Sequence, residues 1–347
     1  MGNSSISYGN YTLYGIHDRT ERYCWAVYHI LVLLSSLIGD TLILYASFQP
    51  DAFKLNKILV VVIQHIAFSN LALALPSAFP TAISLLTNSW ELGDATCYVD
   101  VYMIYSMYPV GIMLVAVMTT TKFFLLRHPL QSSNWTKKTA NRICVSMWVL
   151  CLLAVPVTFL VLRKDDVQFD HRIYICDYGF TDEAWKMIKP AYSIIFQFIP
   201  CCIIIGTTIS TLKYLANARK FARRVKGSIP WQGGITVVST AVIYCISNLP
   251  LFAYFIGKSF VQESSGSLFH VHYFRAATFL TRLNIMANFY IYTLTIRSFR
   301  RFLLAMILTI VPDSLLPSRN NTSGNINFDF GDFNGELSSF QFEVEIT

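Results

Sequence analysis

The chain has 347 residues, of which 54% are hydrophobic and only 14% are charged, and its mean hydropathy is +0.47. Soluble domains carry about 25% charged residues, so this composition indicates a protein whose solvent is largely lipid. The net charge of +7 does not indicate a nucleic-acid partner, because the basic residues lie in loops between the apolar runs.

Residues 1–23 are polar, and we expect them to form an extracellular segment. Asn3 and Asn10 each begin an Asn-x-Ser/Thr sequon, so both are predicted glycosylation sites. No apolar core follows the first residues, so we expect no cleavable signal peptide. Further sequons, among them those at Asn134 and Asn320, fall on the side that we predict to be cytoplasmic.

Seven apolar runs are each long enough to cross a bilayer as a helix, which takes about 20 residues. Lys and Arg residues favour the loops on one side about two to one, which places the N-terminus outside and the C-terminus inside. The sequence predicts an all-α membrane protein, a seven-transmembrane helix bundle, with spans at 24–48, 57–86, 97–126, 140–162, 188–212, 234–257 and 270–294.

Two further segments follow the last span. Residues 298–306 place basic and apolar side chains on different faces at helical spacing, which predicts a short amphipathic eighth helix on the inner membrane surface. Residues 307–347 are dominated by Asn, Ser, Gly and acidic residues, and we expect a disordered cytoplasmic tail. The helical membrane domain is therefore predicted over 24–306.

The third span carries the most specific motif. It begins with Trp90-x-x-Gly93 and Cys97, and it ends with Thr-Lys-Phe at 121–123. This arrangement resembles a class A (rhodopsin-like) G-protein-coupled receptor, whose third helix begins Trp-x-x-Gly-x-x-x-Cys and ends Asp-Arg-Tyr. The resemblance implies a disulfide between Cys97 and Cys176, which would pin the second outer loop to the third helix.

The resemblance extends over the whole membrane region. The family's scaffold positions are matched by Gly39 and Asp40 (Gly-Asn), by Asn70 to Leu75 (Asn-Leu-Ala-x-Ala-Asp), by Trp148, by the prolines Pro200 and Pro250, and by Asn284, Asn288 and Tyr292 (Asn-x-x-x-Asn-Pro-x-x-Tyr). It implies a switch that faces the G protein and comprises Asp40, Thr121, Lys122, Phe123, Pro200, Asn248, Pro250, Asn284, Asn288 and Tyr292.

Several switch positions depart from the family. Lys122 replaces the arginine that meets the G protein, and lysine lacks its planar five-donor fork. Thr121 removes the neighbouring carboxylate, Asn248 replaces a tryptophan and Phe289 replaces a proline. Leu75 stands where the family's sodium-binding aspartate is expected, so we predict no sodium binding there.

Charged residues inside predicted spans are costly and indicate function or a partner. In the family fold Asp40 would face Asn284 and Asn288, either as a hydrogen-bonded structural residue or as a polar hub that couples the first and seventh helices. Asp100 and Arg282 would point into the central cavity from facing helices. They are predicted either to pair in the resting state or, through Arg282 together with Arg275, to receive an anionic group of a ligand.

The predicted ligand cavity is rich in aromatic residues. Ile104 stands where amine receptors carry an aspartate, which disfavours an amine ligand. Aromatic walls favour a peptide or a lipid-like ligand, although ordinary packing would look the same. The cavity is predicted to include Asp100, Ile104, Tyr105, Tyr108, Tyr192, Leu251, Phe252, Phe255, Phe274, Arg275, Thr278 and Arg282.

The sequence thus predicts a plasma-membrane receptor that senses an extracellular ligand and activates a heterotrimeric G protein. Membrane lipids are further partners, through the basic inner loops. We find no motif of an enzyme, a metal site or a cofactor site. The alternatives are an atypical or non-signalling receptor of the same fold, and a small transporter or channel, for which internal repeats would be expected.

Overall fold

The computed structural model describes residues 19–49, 52–53, 55–132, 134–161, 167–171, 173–178, 191–225, 232–260 and 268–310. The sequons at Asn3 and Asn10 and the tail beyond residue 310 lie outside the described residues. The chain divides into two units, Met1–Phe302 and Leu303–Thr347. The first unit contains the helices and the hairpin treated below, and the described part of the second is the end of one helix.

The described residues are helical apart from one β-hairpin. Nine helices of the described chain have 13 residues or more. In chain order the elements are α1 (Arg19–Phe48), α2 (Lys57–Thr87), α3 (Asp94–Arg127), the short α4 (Pro129–Ser132), α5 (Lys137–Val161), β1 (Val167–Asp170), β2 (Ile175–Tyr178), a π-helical turn (Ile194–Phe198), α6 (Ile199–Val225), α7 (Gln232–Phe260), α8 (Leu268–Thr281), α9 (Leu283–Thr295) and α10 (Arg297–Ile310).

Five helical stretches in the described chain are long and apolar enough to cross a membrane. They are Arg19–Phe48, Lys57–Thr87, Asp94–Arg127, Ala191–Ala218 and Gly234–Tyr254. These correspond to the first, second, third, fifth and sixth predicted spans. The fourth predicted span lies in α5, and the seventh is divided between α8 and α9.

The division of the seventh predicted span occurs at Arg282. Its backbone N–H donates to the carbonyl of Phe279 at 3.0 Å, three residues back rather than four. The same carbonyl accepts a hydrogen bond from the Tyr28 hydroxyl of α1 at 2.8 Å. Thr281 Oγ1 donates to the carbonyl of Thr278 at 2.6 Å. In a regular helix each of these carbonyls would accept the backbone N–H four residues later. Here the bonds just described satisfy them instead.

Pro200 shapes the helix that ends in α6. A proline inside a helix has no N–H to donate, and its ring clashes with the carbonyl four residues back, which here belongs to Phe196. The backbone widens at that place into the π-helical turn Ile194–Phe198, in which Ile199 N–H bonds the carbonyl of Ile194. The helix at Pro200 is therefore irregular over one turn.

The hairpin is fixed to the start of α3. Strands β1 and β2 are antiparallel, with Phe169 opposite Cys176, and a disulfide joins Cys176 to Cys97 as the family resemblance implied. Trp90 Nε1 donates to the carbonyl of Gly93 at 2.9 Å, while the Trp90 ring lies 5.7 Å from that of Phe169. Gly93 has φ +80°, a conformation that glycine adopts without strain, so the spacing of the Trp-x-x-Gly motif has a local structural reason.

Helices α1 and α9 approach closely at Gly39. A Cβ atom built on Gly39 would lie 2.6 Å from the Cβ and 2.7 Å from the Cγ of Phe289. Phe289 occupies the position of the family's proline, so its ring fills space that the absence of a side chain at Gly39 leaves open. The Cβ of Phe289 is fixed to the backbone, and rotation of its ring cannot relieve such a contact.

We predict that Gly39→Ala destabilises the protein. The added methyl group overpacks the contact with Phe289, at an expected cost of about 1–3 kcal/mol. Gly206→Ala is the matched control, because a Cβ on Gly206 would have no atom within 4 Å. Thermal unfolding of the purified variants should show a lower Tm for Gly39→Ala alone; equal Tm values would contradict the close approach of α1 and α9.

Candidate functional site

A partly enclosed cavity lies under the hairpin, with about 630 Å³ of empty space including its opening to solvent. The walls come from α3, the hairpin, the segment that leads into α6, α7 and α8, with Arg282 where α8 ends. The lining residues are Ile104, Tyr105, Tyr108, Ile173, Ile175, Cys176, Asp177, Tyr192, Gln197, Leu251, Phe274, Thr278, Thr281 and Arg282.

Most residues that the sequence assigned to the cavity lie on its wall: Ile104, Tyr105, Tyr108, Tyr192, Leu251, Phe274, Thr278 and Arg282. Asp100 is buried and is not on the wall. Phe252 stacks on Phe198 with ring centroids 4.8 Å apart, and Arg275 bonds Glu21. The side chain of Phe255 lies outside the described residues.

The hairpin closes the cavity from above. Ile173 and Ile175 are buried and pack in one cluster with Leu251 and Phe274. Beside them, the Tyr105 hydroxyl donates to Asp177 Oδ1 at 2.7 Å. These hairpin residues were not predicted from the sequence, because a short loop segment has no periodic pattern that would indicate contact with the helices.

Asp100 and Arg282 do not meet as the predicted ion pair. Their charged atoms are not within 4.0 Å of each other in the described structure. Asp100 Oδ2 accepts the backbone N–H of Cys176 at 3.3 Å, whereas Asp100 Oδ1 is buried with no recorded partner. The Arg282 guanidinium instead donates to Ser77 Oγ of α2. The two groups are near enough for electrostatic attraction without contact.

Arg275 has a different environment. It is 2% exposed, and its guanidinium forms an ion pair with Glu21 at 3.1 Å. Glu21 also accepts from Trp25 Nε1 at 3.3 Å. Nearby, the Tyr174 hydroxyl of the hairpin donates to Asn88 Oδ1 at 2.7 Å, and burial raises the pKa of this phenol. Glu21 was not foreseen as a partner, because it precedes the first predicted span.

A buried histidine lies on the other side of Arg282. His29 of α1 is fully buried, and its ring meets that of Phe279 edge to face at 4.7 Å. Neither ring nitrogen has a recorded partner. Within the described residues no group of three His, Cys, Asp or Glu side chains is placed to hold a metal ion. His29 was not singled out from the sequence, since a lone histidine in an apolar run carries no pattern.

The C-terminal end of α3 carries the altered switch motif. Lys122 is 8% exposed, and no hydrogen bond or ion pair from its side chain is recorded among the described residues. Thr121 beside it is also buried. Phe123 lies under the guanidinium of Arg127, whose carbon is 5.7 Å from the ring centroid. The loss of the carboxylate at Thr121 therefore leaves a buried lysine without a charged neighbour in contact.

Asp40 bonds to α1 and α2. It accepts hydrogen bonds from Ser36 Oγ at 2.7 Å and from Asn70 Nδ2 at 3.1 Å. The expectation that Leu75 holds the inward position of α2 is wrong, because Leu75 is 52% exposed whereas Asn70 is 5% exposed. The polar residue of α2 that faces Asp40 is thus Asn70, five residues earlier.

The asparagines of α9, which were expected to face Asp40, form no hydrogen bond with it in the described structure. Asn284 Oδ1 accepts from Ser247 Oγ of α7 at 2.7 Å. The side-chain nitrogen atoms of Asn284 and Asn288 and the Tyr292 hydroxyl are buried with no recorded partner. Direct hydrogen bonds of Asp40 in the described structure go to α1 and α2.

Asn248, at the family's tryptophan position, links α3 to α7. Its Oδ1 accepts from the Tyr108 hydroxyl, and its Nδ2 donates to the carbonyl of Tyr244 at 2.7 Å. Pro250, two residues on, has a carbonyl that accepts from the Tyr273 hydroxyl of α8 at 2.9 Å. A polar connection between three helices therefore replaces the indole at the base of the cavity.

Comparison with known proteins agrees with this architecture. Residues 39–292 match the family model described as 7 transmembrane receptor (rhodopsin family). Because the match covers most of the chain, this protein belongs to the rhodopsin family of G-protein-coupled receptors.

Individual relatives are distant. The chain is 26% identical to G-protein coupled receptor 183 of Mus musculus over 170 residues, which are 47% of this chain and 45% of the relative. It is 20% identical to proteinase-activated receptor 1 of Papio hamadryas over 286 residues, which are 79% of this chain and 64% of the relative. The matches thus cover less than two thirds of these relatives' lengths.

We predict that the disulfide is required for stability. Either Cys97→Ser or Cys176→Ser removes the covalent bond between the hairpin and α3, which joins residues 79 positions apart in the sequence. We expect the free energy of unfolding to fall by about 2–4 kcal/mol. Cys24→Ser is the control, since Cys24 is an exposed free cysteine. Thermal unfolding should show a lower Tm only for the first two variants, and labelling of both thiols in the native wild type would rule the bond out.

Proposed function

We propose that this protein is a seven-helix receptor of the plasma membrane, with its N-terminus outside, that binds an extracellular ligand and activates a heterotrimeric G protein. The observation that supports this most is the cavity between the helices. It opens beneath a hairpin that the Cys97–Cys176 disulfide fixes to α3. In this arrangement α5 forms the fourth span, and α8 with α9 forms the seventh.

The cavity favours a small and largely apolar ligand, such as a lipid-like molecule, over a long peptide. The cavity is narrow in this structure, with a free volume of about 70 Å³ against about 300–1,000 Å³ for typical small-molecule sites, so a ligand must displace wall side chains as it enters. The buried side chains of Ile173 and Ile175 occupy the region through which a long peptide would have to insert. Ile104 on the wall offers no carboxylate to an amine.

Activation would proceed as a shift between two arrangements of the helices. A ligand that contacts Tyr108 and Leu251 touches both α3 and α7 at the polar link through Asn248. Pro250 lies next to that link inside α7 and has no N–H for the helix, so α7 is weakest there. Movement of the inner end of α7 would then uncover Lys122 for the G protein.

A second candidate is an atypical receptor of the same fold that does not signal through G proteins. It is favoured by the environment of Lys122, which is buried and lacks the guanidinium fork of arginine. Phe289 in place of the family's proline points the same way, because its packing against Gly39 holds α9 against α1. The two candidates differ in whether any condition produces G-protein activation.

We predict ligand-independent G-protein activation that depends on Lys122. Without a carboxylate at position 121 the resting state lacks a restraint. G-protein activation should therefore be higher in cells that express the wild type than in mock-transfected cells, and Lys122→Ala should lower it to the background level. Lys137→Ala, which removes an exposed lysine at the start of α5, should have no effect. Thr121→Asp should lower the activity by supplying a partner for Lys122.

The measurement is nucleotide exchange on representatives of each G-protein class, at matched surface expression. Silence of the wild type across all classes would favour the atypical receptor. Activity that survives undiminished in Lys122→Ala would contradict the proposed role of this lysine, whichever class responds.

We predict that the orientation can be read from glycosylation. Digestion with an amide-cleaving glycosidase should shift the wild-type protein on a gel, and Asn3→Gln with Asn10→Gln together should abolish the shift. The combined variant Asn134→Gln, Asn320→Gln and Asn321→Gln is the matched control and should leave the shift unchanged, because those sequons face the cytoplasm in this proposal. A shift that depends on these three residues instead would show the opposite orientation.

A further inference from the structure

The charge on the cavity wall that has the fewest contacts is Arg282. Arginine carries five N–H donors and is always protonated, so a buried arginine normally pairs with an acid or with several acceptors. Arg282 is 4% exposed and lines the cavity. Its one recorded side-chain bond in the described structure is to Ser77 Oγ, a neutral hydroxyl that itself donates to the carbonyl of Leu73.

The nearby acids do not fill the remaining donor positions. The carboxylate of Asp100 lies beyond 4.0 Å from the guanidinium, and its Oδ2 accepts the N–H of Cys176. Asp177, the carboxylate on the cavity wall, accepts the hydroxyl of Tyr105. Arg282 is therefore a buried cation on the cavity wall, and several of its N–H donors have no acceptor in the described structure.

We propose that the ligand of this cavity is an amphiphile with an apolar body and one acidic group, and that the guanidinium of Arg282 binds the acid. The planar fork of arginine matches the two oxygens of a carboxylate and equally those of a phosphate ester. The shared chemistry is a terminal oxyanion, and the experiment below separates the two forms. The inference depends on the proposed function only in taking this cavity as the ligand site.

The rest of the wall fits the apolar body. Ile173, Ile175, Leu251 and Phe274 form one buried cluster at the cavity roof and side, and Ile104 packs against it. Burial of apolar surface supplies most of the affinity in such a site, at about 25 cal/mol per Å². The acidic end would set the orientation of the ligand, because Arg282 lies where α8 ends and is not part of the apolar cluster of the hairpin isoleucines.

Arg275 provides a comparison within the same helix. It is as buried as Arg282 but pairs with Glu21 at 3.1 Å, and it does not line the cavity. A guanidinium that is already neutralised by a carboxylate gains little from a second acid. Of the two arginines expected to receive an anionic group, the geometry thus selects Arg282.

The test measures binding without any G protein, so its failure is distinct from a failure of signalling. The full-length receptor in nanodiscs of zwitterionic lipid is heated with hexanoate, decanoate, palmitate, naphthylacetate or decyl phosphate. Decanol and palmityl alcohol serve as neutral probes of matched length. At least one acid should raise the Tm by several degrees more than its neutral counterpart, since a ligand that binds only the folded state stabilises it.

The variants locate the acidic group. In Arg282→Gln the affinity for the stabilising acid should fall about 10- to 100-fold, the usual effect of losing a hydrogen bond to a charged group. Arg282→Lys should retain part of the affinity, and Arg275→Gln should retain all of it. Asp100→Asn keeps the acceptor for Cys176 N–H but removes a competing charge, and it should bind the acid several-fold more tightly.

The outcomes separate the sources and decide the proposal. A response to the carboxylates alone indicates a free acid, and a response to decyl phosphate alone indicates a phosphate ester. If no acid exceeds its neutral counterpart, or if Arg282→Gln retains the full shift, the proposal is wrong. Should Arg282→Gln fail to fold, the comparison of the acids with the alcohols on the wild type and on Asp100→Asn still decides.

Discussion

A charged side chain inside a bundle that spans lipid is stable only where a neighbouring helix supplies a partner. This receptor meets that constraint differently at each buried charge. Asp40 accepts neutral hydrogen bonds from α1 and α2, and Arg275 pairs with a carboxylate at the start of α1. Arg282 has a neutral hydroxyl and an open cavity, and Lys122 has no recorded partner. The two least satisfied charges thus lie at the predicted ligand end and the predicted G-protein end of the molecule.

The link between those ends runs through α3 and α7. Tyr108 and Lys122 belong to the same helix, about four turns apart, and α3 connects them although Pro109 removes one backbone hydrogen bond beside Tyr108. The Tyr108–Asn248 bond then connects α3 to α7. An amide and a phenol hold each other by a directed bond, whereas an indole packs over a broad surface. The amide–phenol hydrogen bond and the packing of an indole therefore differ in how far one helix can slide along the other before the contact is lost.

The sequence predicted features that depend on composition and short motifs, and it failed where tertiary contacts decide. Cys97 with Cys176 and most of the cavity wall were predicted, because the resemblance to the family could be carried over position by position along the helices. Leu75 was assigned to the wrong position because a short motif alone can be aligned with a helix in more than one register. The contact of Asn70 with Asp40 fixes the register. The hairpin isoleucines carried no sequence pattern at all.

The tethered hairpin has a consequence for the speed of binding. Its isoleucines form the roof of the cavity, and the disulfide keeps the strand next to them at a fixed distance from α3. A ligand that passes these isoleucines must displace their side chains, so we expect association to be slower than the diffusion limit. The same contacts would oppose dissociation, so we expect the hairpin to lower both rate constants.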